Sequence, residues 1–160
     1  MAAFFLSGLA AEAFQHYFVQ SNEALRSQGI RRVTATASPG FPCRISLADA
    51  AIGEELLLLP FEHHGVDSPY RSSGPIYVRK GATQAILPAG MIPPYIGLRQ
   101  ISLRAYDAAH MMVHADVAGG TEVAQALEAM FEEACVSYVH LHNAKPGCFA
   151  CSASRATRLS

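Results

Sequence analysis

The sequence predicts an α+β protein with a mainly antiparallel sheet and with helices packed on one face of that sheet. Four consecutive leucines at 56–59 are apolar on both faces, which suits a central strand. Residues 101–106 and 111–117 alternate between apolar and polar side chains around a short turn, a pattern typical of an antiparallel hairpin. Residues 123–134 carry one apolar stripe at helical spacing. Strands and helices that do not alternate regularly favour the α+β class.

The first forty residues contain two strand candidates and two helix candidates. Residues 4–9 form a short apolar strand candidate, and helical spacing of aromatic residues predicts a helix over 12–19. Ser21 can cap a second helix, which we expect to end at Gly29. Residues 30–36 are rich in β-branched side chains and predict a strand that ends before the Pro39-Gly40 turn.

The remaining elements follow from the same criteria. We expect a strand over 55–61, a loop over 67–75 because of its composition, and a short strand over 76–79. Prolines from 88 to 94 indicate an irregular or edge region, because proline cannot donate to a strand ladder. We expect residues 136–142 to form the last strand.

Composition predicts a single globular domain over residues 1–160. The chain is 51% hydrophobic and 16% charged, enough to bury a core without cross-links. A net charge of −1 with no run of like charge argues against a nucleic-acid partner. There is no apolar run of membrane-spanning length. A signal peptide would require basic residues near its start, and the first basic residue here is Arg26. We therefore expect a bacterial cytoplasmic protein, whose thiols stay reduced.

The C-terminal motif is the strongest candidate for chemistry. His140 and His142 form an HxH pair on a predicted strand, and Cys148 and Cys151 form a CxxC pair behind a Pro-Gly turn. Zinc prefers four sulfur or nitrogen ligands. Cys43, which follows another Pro-Gly turn, could add a third thiolate.

These residues predict a structural or regulatory zinc site at Cys43, Cys148, Cys151 and His142. Two alternatives stay open: a disulfide among the same cysteines, and an inert set of small residues. Two observations argue against a thioredoxin-like role: only nine residues follow Cys151, too few for the long helix of that fold, and the upstream pattern is not βαβ.

A second hypothesis places a small-molecule site after the central strand. His63, Tyr70 and Arg71 lie at or beyond the end of that strand, and Arg44 could join them to receive an anionic ligand. The competing interpretation is that these side chains are solvated or form surface pairs.

A cysteine-dependent enzyme using Cys43, His142 and Arg71 belongs to the same alternative. Asn143 is a poor orienting partner for His142, because adjacent strand residues point to opposite faces. The sequence leaves open whether the protein is an enzyme.

Four segments occur together in a recognisable order. They are PGFPCR at 39–44, DSPYRSSGP at 67–75, LRAYD at 103–107 and HNAKPGCFAC at 142–151. This set resembles a bacterial family known as domain of unknown function 1203, and the resemblance covers nearly the whole chain. It implies one intact domain. The family supplies no established activity, cofactor or catalytic residue to transfer.

Overall fold

The computed structural model describes residues 3–156 and confirms the α+β class. The strands in chain order are β1 (Phe4–Ser7), β2 (Arg31–Thr34), β3 (Pro42–Cys43), β4 (Ala48–Asp49), β5 (Glu55–His64), β6 (Ser72–Arg79), β7 (Gln100–Tyr106), β8 (Met112–Gly119), β9 (Tyr138–Asn143) and β10 (Phe149–Arg155). The α-helices are α1 (Gln15–Phe18), α2 (Asn22–Ser27), α3 (Pro94–Gly97) and α4 (Val123–Glu132). Within residues 3–156, no helix has the length and apolarity needed to cross a membrane.

The first sheet has the strand order β1-β10-β9-β7-β8 and is antiparallel throughout. One of its faces packs beneath α4, as expected from the apolar stripe of that helix. Val139 and Leu141 point to this side and are fully buried, in a cluster that includes Leu127 and Phe131 of α4. The predicted hairpin is present as β7 and β8.

The second sheet has the order β2-β5-β6-β3-β4 and is antiparallel except between β3 and β6. β5 has neighbours on both sides, as the leucine run predicts, and Leu57 is fully buried. Ser21 caps α2 by accepting a 3.1 Å hydrogen bond from the Ala24 N–H. Gly29 adopts a positive φ of 79° just after this helix, which a glycine tolerates without strain.

Several details differ from the sequence expectations, and three of them concern the sheets. The strands form two sheets rather than one. β6 begins at Ser72, so the predicted loop over 67–75 ends earlier than its composition indicates. Pro75 of β6 pairs with Pro60 of β5. Pro60 lies beyond Arg31, the first residue of β2, so β5 has only one neighbouring strand there and tolerates a proline. Residues 149–155 form a further strand, β10, which the sequence patterns do not predict.

The sheets are joined next to Arg44. The Leu9 N–H, just after β1, donates to the Arg44 carbonyl at 2.8 Å. The Arg44 side chain donates from Nε to the Phe149 carbonyl at 2.7 Å, which ties the turn after β3 to β10. Gly8 has no room for a side chain, because a Cβ atom there would overlap the Ile45 carbonyl. This close approach brings the end of β5 onto the outer face of β9 and β10.

Candidate metal centre

The face of the first sheet opposite α4 carries histidine and tyrosine side chains. Alternation along β9 sends Tyr138, His140 and His142 to this face while Val139 and Leu141 enter the core. The facing cross-strand pairs from β7 to β9 are Ser102 with His142, Arg104 with His140, and Tyr106 with Tyr138. The end of β5 covers part of this face, so both histidines are buried.

A register irregularity near the end of β5 accompanies the placement of its two histidines. The pairing of β5 with β6 shifts between Phe61 and His64. Such bulges redirect side chains and often occur beside functional sites. His63 reaches the histidines of β9, and the His63 and His142 ring centroids lie 5.0 Å apart.

His63, His140 and His142 form a convergent group of imidazoles. One ligand nitrogen from each ring lies within 4.8 Å of those of the other two. Each ring also has one buried nitrogen without a hydrogen-bond partner: Nδ1 of His63, Nδ1 of His140 and Nε2 of His142. Ligands bonded at about 2.1 Å to a tetrahedral ion lie about 3.4 Å apart, so modest side-chain movement would close the group around one ion.

Outer contacts orient two of these rings. His142 donates from Nδ1 to the Gly147 carbonyl at 3.0 Å, which leaves its Nε2 lone pair free. The Nε2 of His63 lies 3.3 Å from the Ser72 hydroxyl. Hydrogen bonds of this kind fix the tautomer and orientation of metal-binding histidines. The His63 ring also stacks on Phe149, with centroids 5.3 Å apart and an angle of 7° between the planes.

Burial keeps these imidazoles neutral. It lowers the pKa of His140 to about 3, with a smaller contribution from neighbouring His64. It also lowers the pKa of His142 to about 4, although the hydrogen bond to Gly147 opposes the change. The pKa of His63 is lowered for the same reason, with His64 again contributing. Neutral rings present lone pairs at physiological pH, as a metal ion requires.

A second hydrogen-bonded group lies beside the three imidazoles. The Tyr138 hydroxyl is 2.6 Å from His64 Nε2 and 2.8 Å from His110 Nδ1. His64 Nδ1 is 2.8 Å from the Tyr70 carbonyl, which can only accept, so His64 must donate there. When the His64 ring is neutral, its Nε2 accepts from Tyr138, and His110 donates to the same hydroxyl oxygen. Burial raises the pKa of Tyr138 to about 12, so this hydroxyl keeps its proton.

The structure does not gather the predicted thiols with His142. Among residues 3–156, the convergent group of potential metal ligands contains no cysteine. Cys43 is buried and accepts a 3.2 Å hydrogen bond from the Arg79 N–H. Cys151 lies in the core with α4, whereas Cys148 contacts Arg44 outside it, because the chain between them is extended. All four cysteines are free thiols.

The four residues predicted to bind an anion have different partners in the structure. His63 belongs to the imidazole group. Tyr70 contributes its carbonyl to His64. Arg71 is exposed and paired with Glu62 through two contacts of 3.1 and 3.2 Å. Arg44 is buried and donates to the Phe149 carbonyl and to Cys148 Sγ.

The sequence analysis named His140 in the HxH pair but left it out of the predicted ligand set, and it assigned no role to the outer residues His64, His110 and Tyr138. A usable signal was present for His140, because HxH on a strand places both imidazoles on one face. No local pattern links His140 or His142 to His63, which comes from the other sheet.

Fold and site together define an α+β domain in which two sheets enclose a histidine-rich centre. The family described as "Protein of unknown function (DUF1203)" matches residues 40–155, and the chain belongs to this family. The matched range includes all three convergent histidines. Neither a curated protein nor a solved structure matches the chain.

Proposed function

We propose that this protein binds one divalent transition-metal ion, with zinc as the first candidate, through His63, His140 and His142. The observation that supports this is the presence, on each ring, of a buried nitrogen without a hydrogen-bond partner, with ligand nitrogens of the three rings close together. Unpartnered buried polar atoms are costly, and a shared ion would satisfy all three. Imidazole ligands suit zinc, copper, iron and nickel.

Three protein ligands leave one tetrahedral position open. His63 is half-buried, which gives solvent a route to the group. Zinc held by three protein ligands and a water molecule is the arrangement of catalytic sites, in which the metal lowers the pKa of the water. Here His142 would be held by Gly147 and His63 by Ser72. The neighbouring Tyr138 hydroxyl could pass a proton between His64 and His110.

The proposal replaces thiol ligands with imidazoles. His142 is the one member of the sequence-predicted metal set that lies in the convergent group. A zinc ion at this place would lie between the two sheets and so stabilise their contact, in addition to any chemistry of its open position. The cytoplasmic location expected from the sequence remains a proposal, and it would keep the four thiols reduced.

Calorimetric titration of zinc into chelator-stripped protein tests the proposal. We expect one ion per chain for the wild type and for His114→Ala, which removes an exposed histidine paired with Glu133. His63→Ala should abolish this binding, because His63 supplies one of three ligands and is only half-buried.

A thiol variant separates imidazole ligation from thiol ligation. Cys148→Ser should bind zinc as the wild type does. Cobalt(II) gives a second measurement, because its visible spectrum reports ligand type and number. Full binding by His63→Ala, loss of binding in Cys148→Ser, or a thiolate-to-cobalt absorption band would each contradict the proposal.

A further inference from the structure

A separate cavity is lined by none of the three convergent histidines. Its volume is about 380 Å³, within the range of small-molecule sites. Arg44, Asn143 and Cys148 line its interior, and Leu98 and Lys145 are exposed residues on its wall. Asn143 follows His142 directly on β9, so the two side chains lie on opposite faces of that strand.

Arg44 places an uncompensated positive charge in this cavity. Its side chain is 1% exposed, and within residues 3–156 it forms no ion pair with a carboxylate. By contrast, Arg99 on the same wall is paired with Asp49. A buried cation without a counter-charge is expensive to maintain. The guanidinium donates to the Pro42 carbonyl, the Phe149 carbonyl and Cys148 Sγ, which leaves one N–H free on each terminal nitrogen.

Asn143 adds an unpartnered acceptor to the same cavity. The residue is 5% exposed, and its Oδ1 is buried without a hydrogen-bond partner. Its Nδ2 lies 3.5 Å from Cys148 Sγ, so the amide is oriented by the thiol that Arg44 also contacts. A free acceptor beside a free cation is suited to a ligand that carries both a negative charge and a hydrogen-bond donor.

We propose that this cavity binds a small organic acid with a hydroxyl group next to its carboxylate. The carboxylate would receive the two free N–H groups of Arg44 and the charge of Lys145, and the hydroxyl would donate to Asn143 Oδ1. An ammonium group is a poorer donor here, because Arg44 would repel it. The walls at Leu98 and Pro146 offer apolar surface for the rest of the ligand, and the volume exceeds what an inorganic ion fills.

A matched pair of acids tests whether the hydroxyl group of the ligand contributes to binding. We expect 2-hydroxy-4-methylpentanoate to bind saturably and 4-methylpentanoate to bind about ten-fold more weakly, the usual consequence of one unsatisfied polar group. Chelator must be present throughout, because hydroxy acids also coordinate metals. With metal removed, the result does not depend on the histidine group. Binding is followed by amide chemical shifts and by the rate at which iodoacetamide alkylates Cys148. An occupied cavity should slow that rate and leave exposed Cys135 unaffected.

Three variants test whether the acid binds in this cavity. Asn143→Asp should abolish binding, because the new carboxylate supplies the missing counter-charge to Arg44 and repels the ligand. Lys145→Ala should weaken binding, whereas Lys80→Ala removes an exposed lysine outside the cavity and should have no effect. Absence of saturable binding by the wild type, equal binding of the two acids, or full binding by folded Asn143→Asp would each overturn the proposal.

Discussion

The hydroxyl of Tyr138 holds His64 and His110 together beside the three convergent imidazoles. It contacts one imidazole from β5 and one from the turn before β8, at 2.6 and 2.8 Å. Tyr138→Phe removes the hydroxyl and leaves nitrogens of His64 and His110 without their partner. Since His64 is only 2% exposed, we expect the free energy of unfolding in urea to fall by about 1–3 kcal/mol.

Tyr77→Phe is the matched control for this prediction. Tyr77 is also half-buried, and within residues 3–156 its hydroxyl makes no hydrogen bond with another side chain or the backbone. Its loss should change the free energy of unfolding by no more than about 0.5 kcal/mol. Equal losses in both variants would show that ring packing, not the hydroxyl of Tyr138, stabilises this region.

The thiol of Cys151 predicts how stability changes at alkaline pH. Burial raises its pKa to about 12, despite the opposing effect of nearby Arg44. The thiol therefore keeps its proton in the folded state, whereas unfolding lets it ionise near its usual pKa of about 9. Stability is then complete below pH 9 and is lost as the pH rises towards 12. Between pH 8 and pH 10, ionisation of Cys151 in the unfolded chain should lower the free energy of unfolding by about 1–2 kcal/mol.

Cys151→Ala isolates this contribution, because alanine does not titrate. The variant starts from a lower stability, but its loss between pH 8 and pH 10 should be smaller than that of the wild type. Burial is the main cause that raises the pKa of Tyr95 well above its usual value, and Cys151 contributes less, so Tyr95 stays protonated up to pH 10 in both folded proteins and contributes equally to both profiles. Parallel pH profiles would refute the prediction.

At the scale of elements, β9 has two faces with different roles. Leu141 is fully buried in the core beneath α4, while the two flanking histidines point the other way. Leu141→Ala should lower the free energy of unfolding by about 2–5 kcal/mol, the usual cost of a buried leucine cavity. Leu98→Ala, at a leucine that is 66% exposed, should lower it by less than about 0.5 kcal/mol. A small effect at Leu141 would mean that the faces of β9 are reversed.

The sequence predicts elements well where one residue pattern dominates. The leucine run identifies β5, the two alternating segments identify β7 and β8, and the apolar stripe identifies α4. β10 was missed because the residues from Ala150 to Ser154 are small and lack β-branching, so they show little strand propensity. This strand forms because β1 and β9 pair with it on both sides. Long-range pairing of that kind overrides local preference.

The candidate metal centre is a property of the whole molecule rather than of one segment. His140 and His142 come from the first sheet and His63 from the second, and the contact depends on how Gly8 and Arg44 bring the sheets together. No spacing rule in the sequence encodes such a contact. The CxxC pair seemed more specific because its spacing is local, but Cys148 precedes β10 and contacts Arg44, whereas Cys151 packs in the core with α4.

Zinc should therefore stabilise the molecule as a unit, because an ion held by His63, His140 and His142 would join the two sheets. With free zinc at about 100 times its dissociation constant, the free energy of unfolding should rise by about 2.7 kcal/mol. Urea titrations followed by two probes, one in each sheet, should then show a single coincident transition at a higher urea concentration.

His63→Ala provides the decisive comparison. This variant keeps both histidines of the first sheet and all four thiols, so it retains every ligand except the one that comes from the second sheet. We expect zinc to leave its unfolding transition unchanged, or to lower it slightly if thiols of the unfolded chain bind the ion. If zinc stabilises His63→Ala as much as the wild type, the ion binds elsewhere. If it shifts only the probe in the first sheet, the ion does not join the sheets.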